Sequence, residues 1–125
     1  MNIDNLTIGE AKKLAAMFGG TATEPRAGWK PGDLRPVIIR SQMAGVQFGL
    51  LVGYEGREVH LKDARQMWQW KAAKGGTLLD CATHGITRSS SKLSGPVANM
   101  IALEVSAIID CTKEAAESIG GAEWE

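Results

Sequence analysis

The stretch "VIIRSQMAGVQFGLLVGYEGREVHLKDAR", residues 37–65, has the pattern of three successive β-strands. The β-branched run at 37–40, the apolar run at 46–52 and the alternating run at 59–61 are each typical of strands. A turn at residues 54–57 separates the second run from the third. Glycine recurs every fourth residue between positions 45 and 53, which indicates bends or bulges. The stretch therefore predicts a small and strongly curved antiparallel sheet.

Two short helices are predicted further along the chain, each beginning at a threonine. Thr77 is expected to cap a helix at residues 78–83, and Thr112 is expected to cap a helix at residues 113–118. Two more strands are predicted between these helices, at residues 100–105 and 107–109. The predicted fold class is mainly β within α+β, a small curved antiparallel barrel flanked by short helices.

The first 36 residues are predicted to form a helix and a linker. Thr7 and Glu10 fit a capping box, and apolar residues recur at helical spacing from Ile8 to Phe18. Glycine and proline are frequent in the residues that follow. The predicted organisation is an N-terminal helix at 1–20, a linker at 21–36 and a barrel-like core with a C-terminal helix at 37–125. An apolar helix on a linker needs a surface to pack against, and open strand edges need a partner. Another copy of the chain can supply both, which favours a homo-oligomer.

Fourteen basic and fourteen acidic residues give the 125-residue chain a formal net charge of zero. Proteins that bind duplex nucleic acid usually carry an excess of basic residues, because their affinity depends on neutralising phosphates. No apolar run reaches the ~18 residues needed to cross a bilayer, and the N-terminus does not have the pattern of a signal peptide. The two cysteines lie 30 residues apart, which indicates a reducing compartment. A cytoplasmic protein without membrane or duplex partners is therefore expected.

Two tryptophans and several cations lie close together after the third predicted strand. Trp68 and Trp70 have a spacing that on a strand directs both side chains to one side, and Arg65 and Lys71 flank them. Indoles stack on nucleobases for roughly 1–3 kcal/mol per base, while cations bind phosphate oxygens. Arg40, at the end of its predicted strand, is a further candidate cation. The pattern predicts a site for a small nucleotide, although the same indoles also suit a core or a subunit interface.

The loop "THGITRSSSK", residues 83–92, is the second part of the predicted site. Hydroxyl groups and backbone N–H groups in a glycine-containing loop can hold phosphate. His84, Ser90 and Lys92 are therefore expected to close over the ligand. The loop does not have the Gly-Lys-Ser/Thr sequence of a Walker loop, and a solvated loop without a ligand is the alternative.

No catalytic residue, metal site or cofactor is predicted. Cys81 and His84 have the spacing of a ligand pair, but the remaining candidates, His60 and Cys111, are too far apart in sequence for a structural zinc site. Nothing in the sequence lowers the pKa of a thiol or supplies an orienting carboxylate for a Cys81–His84 dyad. A binding protein is therefore expected rather than an enzyme.

Residues 37–65 are similar to the first half of Sm-like proteins. In that family a strand, a bent glycine-bearing strand, a turn and a strand ending in Leu-x-Asp-Ala form a small SH3-like barrel, so the resemblance implies an SH3/Sm-like barrel here. Glu58 stands where RNA-binding Sm-like proteins usually carry an asparagine, and the Arg-Gly signature of their second half is missing. Single-strand RNA binding is therefore kept as an alternative function.

A longer resemblance, from Arg40 through the C-terminal helix, is to a family of small proteins carried by phages and prophages. The motifs that carry it are "IIRSQMAGVQFGLLV", "EGREVHLKDARQMWQWK", "ATHGI" and "CTKEAAESI", preceded by a common N-terminal addition, "NLTIGEAKKLAAMFG". The chain also looks like the phage sponge proteins that capture cyclic nucleotide alarm signals of bacterial defence.

This resemblance implies that the chain sequesters a small cyclic nucleotide in the host cytoplasm without cleaving it. A cyclic dinucleotide, a cyclic trinucleotide or a cyclic ADP-ribose would be the ligand. Three other functions fit the sequence. They are a structural protein with Trp68 and Trp70 as subunit-interface anchors, a nucleotide-cleaving enzyme, and an Sm-like binder of single-strand RNA.

Overall fold

The computed structural model describes residues 29–123, which form one curved sheet and two short helices. The N-terminal helix predicted at residues 8–18 lies outside the described residues. The strands in chain order are β1 (Lys30–Pro31), β2 (Pro36–Ser41), β3 (Gly45–Glu55), β4 (Glu58–Gln69), β5 (Lys92–Leu93), β6 (Val97–Ala102) and β7 (Val105–Asp110). The helices are α1 (Leu78–His84) and α2 (Lys113–Gly120), and a 3-10 helix spans Arg88–Ser90.

All strand pairings in the sheet are antiparallel. The strands follow the order β7–β2–β3–β4, and β4 is long enough to pair with β6 along its first half and with β5 at its end. Strands β6 and β7 follow each other in the chain, but no ladder joins them within residues 29–123. The predicted mainly β fold with short helices is confirmed, and the curved sheet stays open between β6 and β7.

Three consecutive buried residues of β2 show that the sheet separates two hydrophobic cores. Val37 and Ile39 belong to an inner core, whereas Ile38 belongs to a helix-side core, because successive side chains of a strand point to opposite faces. The inner core consists of Val37, Ile39, Leu51, Val59, Leu61, Ala64, Ala102 and Val105. The helix-side core includes Ile38, Phe48 and Met67 from the sheet, with Leu78, Cys81, Ala82 and Ile119 from the helices. The two helices therefore cover one face of the sheet.

Both N-caps predicted within residues 29–123, Thr77 and Thr112, are present. Thr77 Oγ1 accepts the backbone N–H of Asp80, and the Asp80 carboxylate accepts the N–H of Thr77, which completes a capping box. The hydrogen bond from the Thr77 backbone is the main reason that the pKa of Asp80 lies below its usual value. Thr112 caps α2 and donates its hydroxyl to the carbonyl of Thr83 at 2.7 Å, which joins the two helices. Neither described helix is long and apolar enough to cross a membrane.

A β-bulge at Asp63 interrupts the pairing of β3 with β4. Phe48 pairs with Arg65 and Leu50 pairs with Lys62, so β4 has one more residue than β3 between these pairs. Asp63 adopts a φ of +54°, in the left-handed region. An extra residue of this kind bends a strand and increases its twist.

The bulge reverses which side chains of β4 face each core. Leu61 points into the inner core before the bulge, and Ala64 does so after it, three residues later rather than two or four. Met67 consequently lies in the helix-side core, and Arg65 lies on the same face by alternation. The strand continues to Gln69, eight residues beyond the end predicted from the alternating run at 59–61.

Three other local features differ from the sequence prediction. Strand β6 ends at Ala102 and β7 begins at Val105, so the strand predicted at 100–105 runs across a tight turn in which Glu104 has a φ of +55°. The polar loop contains the 3-10 helix and β5. Strand β1 lies in the segment predicted as a linker and pairs with residues 53–54 of β3. These short elements depend on pairing with distant residues, which a local pattern does not reveal.

Candidate functional site

The backbone segments that carry four of the residues predicted to bind a ligand meet at the end of β4, and we call this region the Trp68 surface: Trp68, Lys71, Ser90 and Lys92. Trp68 is 51% exposed, and the Lys92 ammonium lies 5.3 Å from the centroid of its ring. Lys71 is exposed, and Ser90 is half-buried in the 3-10 helix. The negative face of an indole attracts a cation at this distance. The patch therefore combines an accessible aromatic ring with positive charge.

Ser91 fixes the backbone segments that carry these residues. Its Oγ accepts the backbone N–H of Lys71 at 3.0 Å and donates to the carbonyl of Thr87 at 2.8 Å. In addition, the ladder between β4 and β5 pairs Gln69 with Lys92. The segments on either side of the Trp68 surface are thus tied to β4 by the fold itself.

Trp70 does not share the exposure of Trp68. It lies one residue beyond the end of β4, is half-buried, and packs against the helix-side core. The two indoles therefore do not form one exposed pair on the same side of a strand, which corrects the prediction from their spacing. Trp68 is accessible to solvent, whereas Trp70 packs against the helix-side core.

Arg40 and His84 lie on the helix-covered side of the sheet. Alternation along β2 places Arg40 on the face of Ile38. His84 is the last residue of α1, whose buried side chains belong to the helix-side core. Trp68 instead lies beside Lys92 at the end of β4, where the ladder with β5 is irregular. Arg40 and His84 therefore belong to other elements than the two strands that carry Trp68 and Lys92.

Arg65 is buried and has a structural role that the sequence did not indicate. It is 4% exposed, and its Nε donates to the carbonyl of Ser94 at 2.9 Å. Its Nη1 donates to the carbonyls of Ile119 and Gly120 at 2.8 and 3.1 Å. These are among the last carbonyls of α2, which have no partner inside the helix and which favour a cation. Arg65 thus joins β4, the loop before β6 and the end of α2.

A cleft of about 850 Å³ opens beside this guanidinium, and we call it the Arg65 cleft. Its apolar lining comprises Pro36, Phe48, Leu50, Pro96, Ala116 and Ala122, and its polar lining includes Asp63, Arg65 and Glu123. The volume lies within the range of about 300–1,000 Å³ that is common for small-molecule sites.

The Arg65 guanidinium is not fully hydrogen-bonded. Its Nη2 is buried and has no partner within residues 29–123. Burial lowers the pKa of Arg65, and the nearby charge of Arg88 lowers it further. Arg88 itself donates to the carbonyls of Ser118 and Glu117 at 3.1 and 3.2 Å. Two arginines therefore converge on the end of α2, and one of them retains an unused donor.

The cysteines are not activated as nucleophiles. Burial raises the pKa of Cys81 to about 11 and that of Cys111 to about 12. A thiol rather than a thiolate is therefore present at neutral pH in both positions, and the thiolate is the nucleophilic form. Within residues 29–123 no three His, Cys, Asp or Glu side chains come together as metal ligands.

The sequence pattern indicates the tryptophan and lysines of the Trp68 surface, but it gives no sign of the Arg65 cleft. The cleft is lined by residues from β2, β3, β4, the loop before β6 and α2 together with the residues after it. These segments are far apart in the chain, and only the pairing of the strands brings them together. Arg65 is close to the tryptophans in the sequence, whereas the bulge places its side chain with the helices. No local pattern in the sequence carries that information.

The chain belongs to a family described as a domain of unknown function (DUF6948), whose model matches residues 34–119. The match covers β2 to β7 and α1, and it extends through nearly all of α2. No curated protein and no solved structure matches the chain. The matched region therefore contains six of the seven strands and nearly all of both helices, with the Trp68 surface and most of the residues that line the Arg65 cleft.

Proposed function

We propose that the chain binds a small nucleotide at the Trp68 surface and holds it without cleaving it. One observation carries the proposal: the exposed indole of Trp68 has the Lys92 ammonium 5.3 Å from its ring. A nucleobase can stack on such a ring, while a lysine beside it meets a phosphate oxygen. Lys71, exposed at the same end of β4, supplies a second cation.

The charge of the chain favours a small ligand over a nucleic-acid strand. The formal net charge is zero, and the Trp68 surface contains two lysines. A longer strand requires a groove of many cations to follow its phosphates, whereas a cyclic dinucleotide, cyclic trinucleotide or cyclic ADP-ribose has few phosphates to neutralise. We therefore propose a phage anti-defence sponge that acts in the cytoplasm, as a homo-oligomer, on one of these ligands.

The two cysteines do not supply a nucleophile for cleavage. Attack on a phosphodiester or a glycosidic bond by Cys81 or Cys111 would require a thiolate, and burial disfavours that form in both. A sponge needs affinity and abundance rather than a reactive group.

Thermal-shift and calorimetric titrations against cyclic di- and trinucleotides and cyclic ADP-ribose isomers test the proposal. A ligand at 100 times its Kd should add about 2.7 kcal/mol to the free energy of unfolding. Trp68→Ala should weaken binding by roughly 1–3 kcal/mol, which is the loss of one stacked base. Leu103→Ala is the matched control, because Leu103 is similarly exposed at 55% but lies in the turn between β6 and β7. Equal losses in the two variants, or none in either, would contradict the proposal.

Recovery of the ligand separates a sponge from an enzyme. The protein is incubated with the bound nucleotide and Mg²⁺ or Mn²⁺, denatured by heat, and the released material is analysed by chromatography. Intact ligand is expected, and a cleaved product would show that the chain is an enzyme.

The exposure of Trp68 also favours a second candidate function, a subunit interface, since exposed aromatic residues often anchor protein contacts. Light scattering on Trp68→Ala decides between the two. A change of oligomeric state with unchanged nucleotide affinity would assign Trp68 to an interface.

A further inference from the structure

The Arg65 cleft presents apolar side chains that the described residues leave uncovered. Its volume is about 850 Å³, and two residues of its apolar lining, Leu50 of β3 and Ala116 of α2, are only half-buried. The free Nη2 of Arg65 is itself buried, so the exposed charges of the lining are the carboxylates of Asp63 and Glu123. Neither carboxylate forms an ion pair within residues 29–123. The cleft therefore fits an occupant that has an apolar face with positive charge beside it.

Residues 8–18 of the chain have the sequence of such an occupant. Their apolar members recur at helical spacing and would form one face of a helix: Ile8, Ala11, Leu14, Ala15 and Phe18. Lys12 comes four residues after Ile8 and three before Ala15, which places it at the border of that face. An isolated helix of about eleven residues is marginal in water, so the predicted helix needs a surface to pack against.

The chain is long enough to bring this segment to the cleft. The described chain enters the sheet at Lys30, which pairs with Tyr54 of β3. Leu50 lies on the same strand, about 13 Å from Tyr54 at the usual rise of a strand. Residues 19–28 can span up to about 33 Å when extended, so Phe18 can reach the cleft without any change in the sheet.

We propose that residues 8–18 dock in the Arg65 cleft of their own chain as an amphipathic helix. The apolar face packs against Leu50 and Ala116, and Lys12 lies beside the exposed carboxylates of Asp63 and Glu123. This contact joins the N-terminal segment to β3 and α2. It is separate from the Trp68 surface and does not depend on nucleotide binding there.

Paramagnetic relaxation measured by NMR on the full chain tests where the segment lies. A nitroxide is attached at Lys13→Cys, on the side of the predicted helix away from its apolar face. Labelling at neutral pH selects this thiol, because burial raises the pKa of Cys81 to about 11 and that of Cys111 to about 12.

The backbone amide signals of Leu50 and Ala116 should broaden strongly. The signal of Leu103 should broaden far less, because Leu103 contacts Ser41 at the opposite end of β2 from the cleft residue Pro36. Equal broadening at the three positions, or none at Leu50 and Ala116, would overturn the proposal.

A mixed sample separates docking within one chain from docking between two copies. Isotope-labelled chain without the nitroxide is mixed with unlabelled chain that carries it. The signals of Leu50 and Ala116 should keep their intensity in this sample. Broadening there as strong as in the single-chain experiment would place the segment of another copy in the cleft, which contradicts docking within the chain.

Phe18→Asp and Met17→Asp form a matched pair in the nitroxide-labelled chain. Both introduce a charge near the end of the segment, but Phe18 belongs to the apolar face and Met17 lies off it. Phe18→Asp should abolish the broadening at Leu50, whereas Met17→Asp should retain it. Equal effects of the two substitutions would show that the apolar face does not make the contact.

The carboxylates of the cleft are tested by their coupling to Lys12. Lys12→Glu should lower the hydrogen-exchange protection of residues 11–18 by about two- to fivefold, the range for losing an exposed ion pair. The same substitution should have almost no effect in a chain that carries Asp63→Asn and Glu123→Gln. Asparagine tolerates the φ of +54° at position 63. An equal loss of protection with and without the two carboxylates would overturn the proposed position of the helix.

Discussion

Arg65 and Trp68 lie three residues apart in β4 but have opposite surroundings. Arg65 is 4% exposed and donates hydrogen bonds to three backbone carbonyls, whereas Trp68 is 51% exposed and contacts a lysine. The charged residue is thus inside and the large aromatic residue outside, the reverse of what hydrophobicity favours. The comparison teaches that the face of the sheet on which a residue lies can decide its role more than its chemical type.

The difference also divides the strand into a part that stabilises the fold and a part that is available for binding. Removing a side chain affects stability in proportion to the contacts that it makes in the folded state. The predictions below test that division, beginning with the largest expected effect.

Arg65→Ala should lower the free energy of unfolding by about 3–5 kcal/mol. The substitution removes the donor to Ser94, Ile119 and Gly120, and each hydrogen bond from a charged group contributes roughly 1.5–3 kcal/mol, with less than full additivity. Urea unfolding measured by circular dichroism gives the value.

Trp68→Ala is the matched comparison. It should change the free energy of unfolding by less than about 1 kcal/mol, because the side chain is half exposed. Arg65→Lys should fall between the two, since an ammonium keeps the charge but cannot reproduce the planar geometry of the guanidinium. If Trp68→Ala proves as destabilising as Arg65→Ala, the two residues do not differ in role as the structure indicates.

Gly49→Ala should lower the free energy of unfolding by about 1–3 kcal/mol, the usual cost of overpacking. Gly49 lies opposite the bulge at Asp63 in β4. A methyl group there would lie 3.1 Å from Leu61 Cβ, 3.2 Å from the carbonyl oxygen of Lys62 and 3.3 Å from Ala64 Cα. Because two of these contacts are with the backbone, the bulge itself must shift.

Gly76→Ala is the control for this substitution, since a methyl group at that position meets no atom within 4 Å. It should leave the melting temperature nearly unchanged. Equal stability of the two variants would show that the bulge accommodates a side chain at position 49, and that the turn of Arg65 towards the helices does not depend on this glycine.

The bulge also explains how much of the molecule could be predicted from its sequence. Strands β2 and β3 and both capped helices follow local patterns, and the structure contains them close to the predicted positions. The extent of β4 does not follow, because Asp63 interrupts the alternation on which a strand prediction relies. The same interruption places Arg65 on the helix-side face of the sheet. The sequence therefore indicated a tryptophan with cations near it, which the structure has as an exposed Trp68 beside Lys92, while the cleft beside Arg65 depends on long-range pairing.

Asp63→Val should lower the free energy of unfolding by about 1–2 kcal/mol. Asp63 has a φ of +54°, and β-branched residues are strongly disfavoured in the left-handed region. Asp63→Asn provides the control, because asparagine tolerates this conformation and should alter stability by less than about 0.5 kcal/mol. Chemical denaturation of both variants checks the prediction. Equal destabilisation by valine and asparagine would attribute the effect to the lost carboxylate rather than to the backbone.

The smallest effect is expected at Lys92, whose ammonium lies 5.3 Å from the centroid of the Trp68 ring. A cation–π contact at an exposed site contributes about 0.5–1 kcal/mol, so Lys92→Ala should lower the free energy of unfolding by that amount. Lys71→Ala is the matched control, because the cation over the Trp68 ring is Lys92 and not Lys71. A double-mutant cycle is decisive, since Lys92→Ala should cost almost nothing once Trp68 is alanine. The same cost in both backgrounds would mean that Lys92 stabilises the chain through β5 rather than through the indole. The cation–π contact would then not be what holds the Lys92 ammonium beside the exposed end of β4.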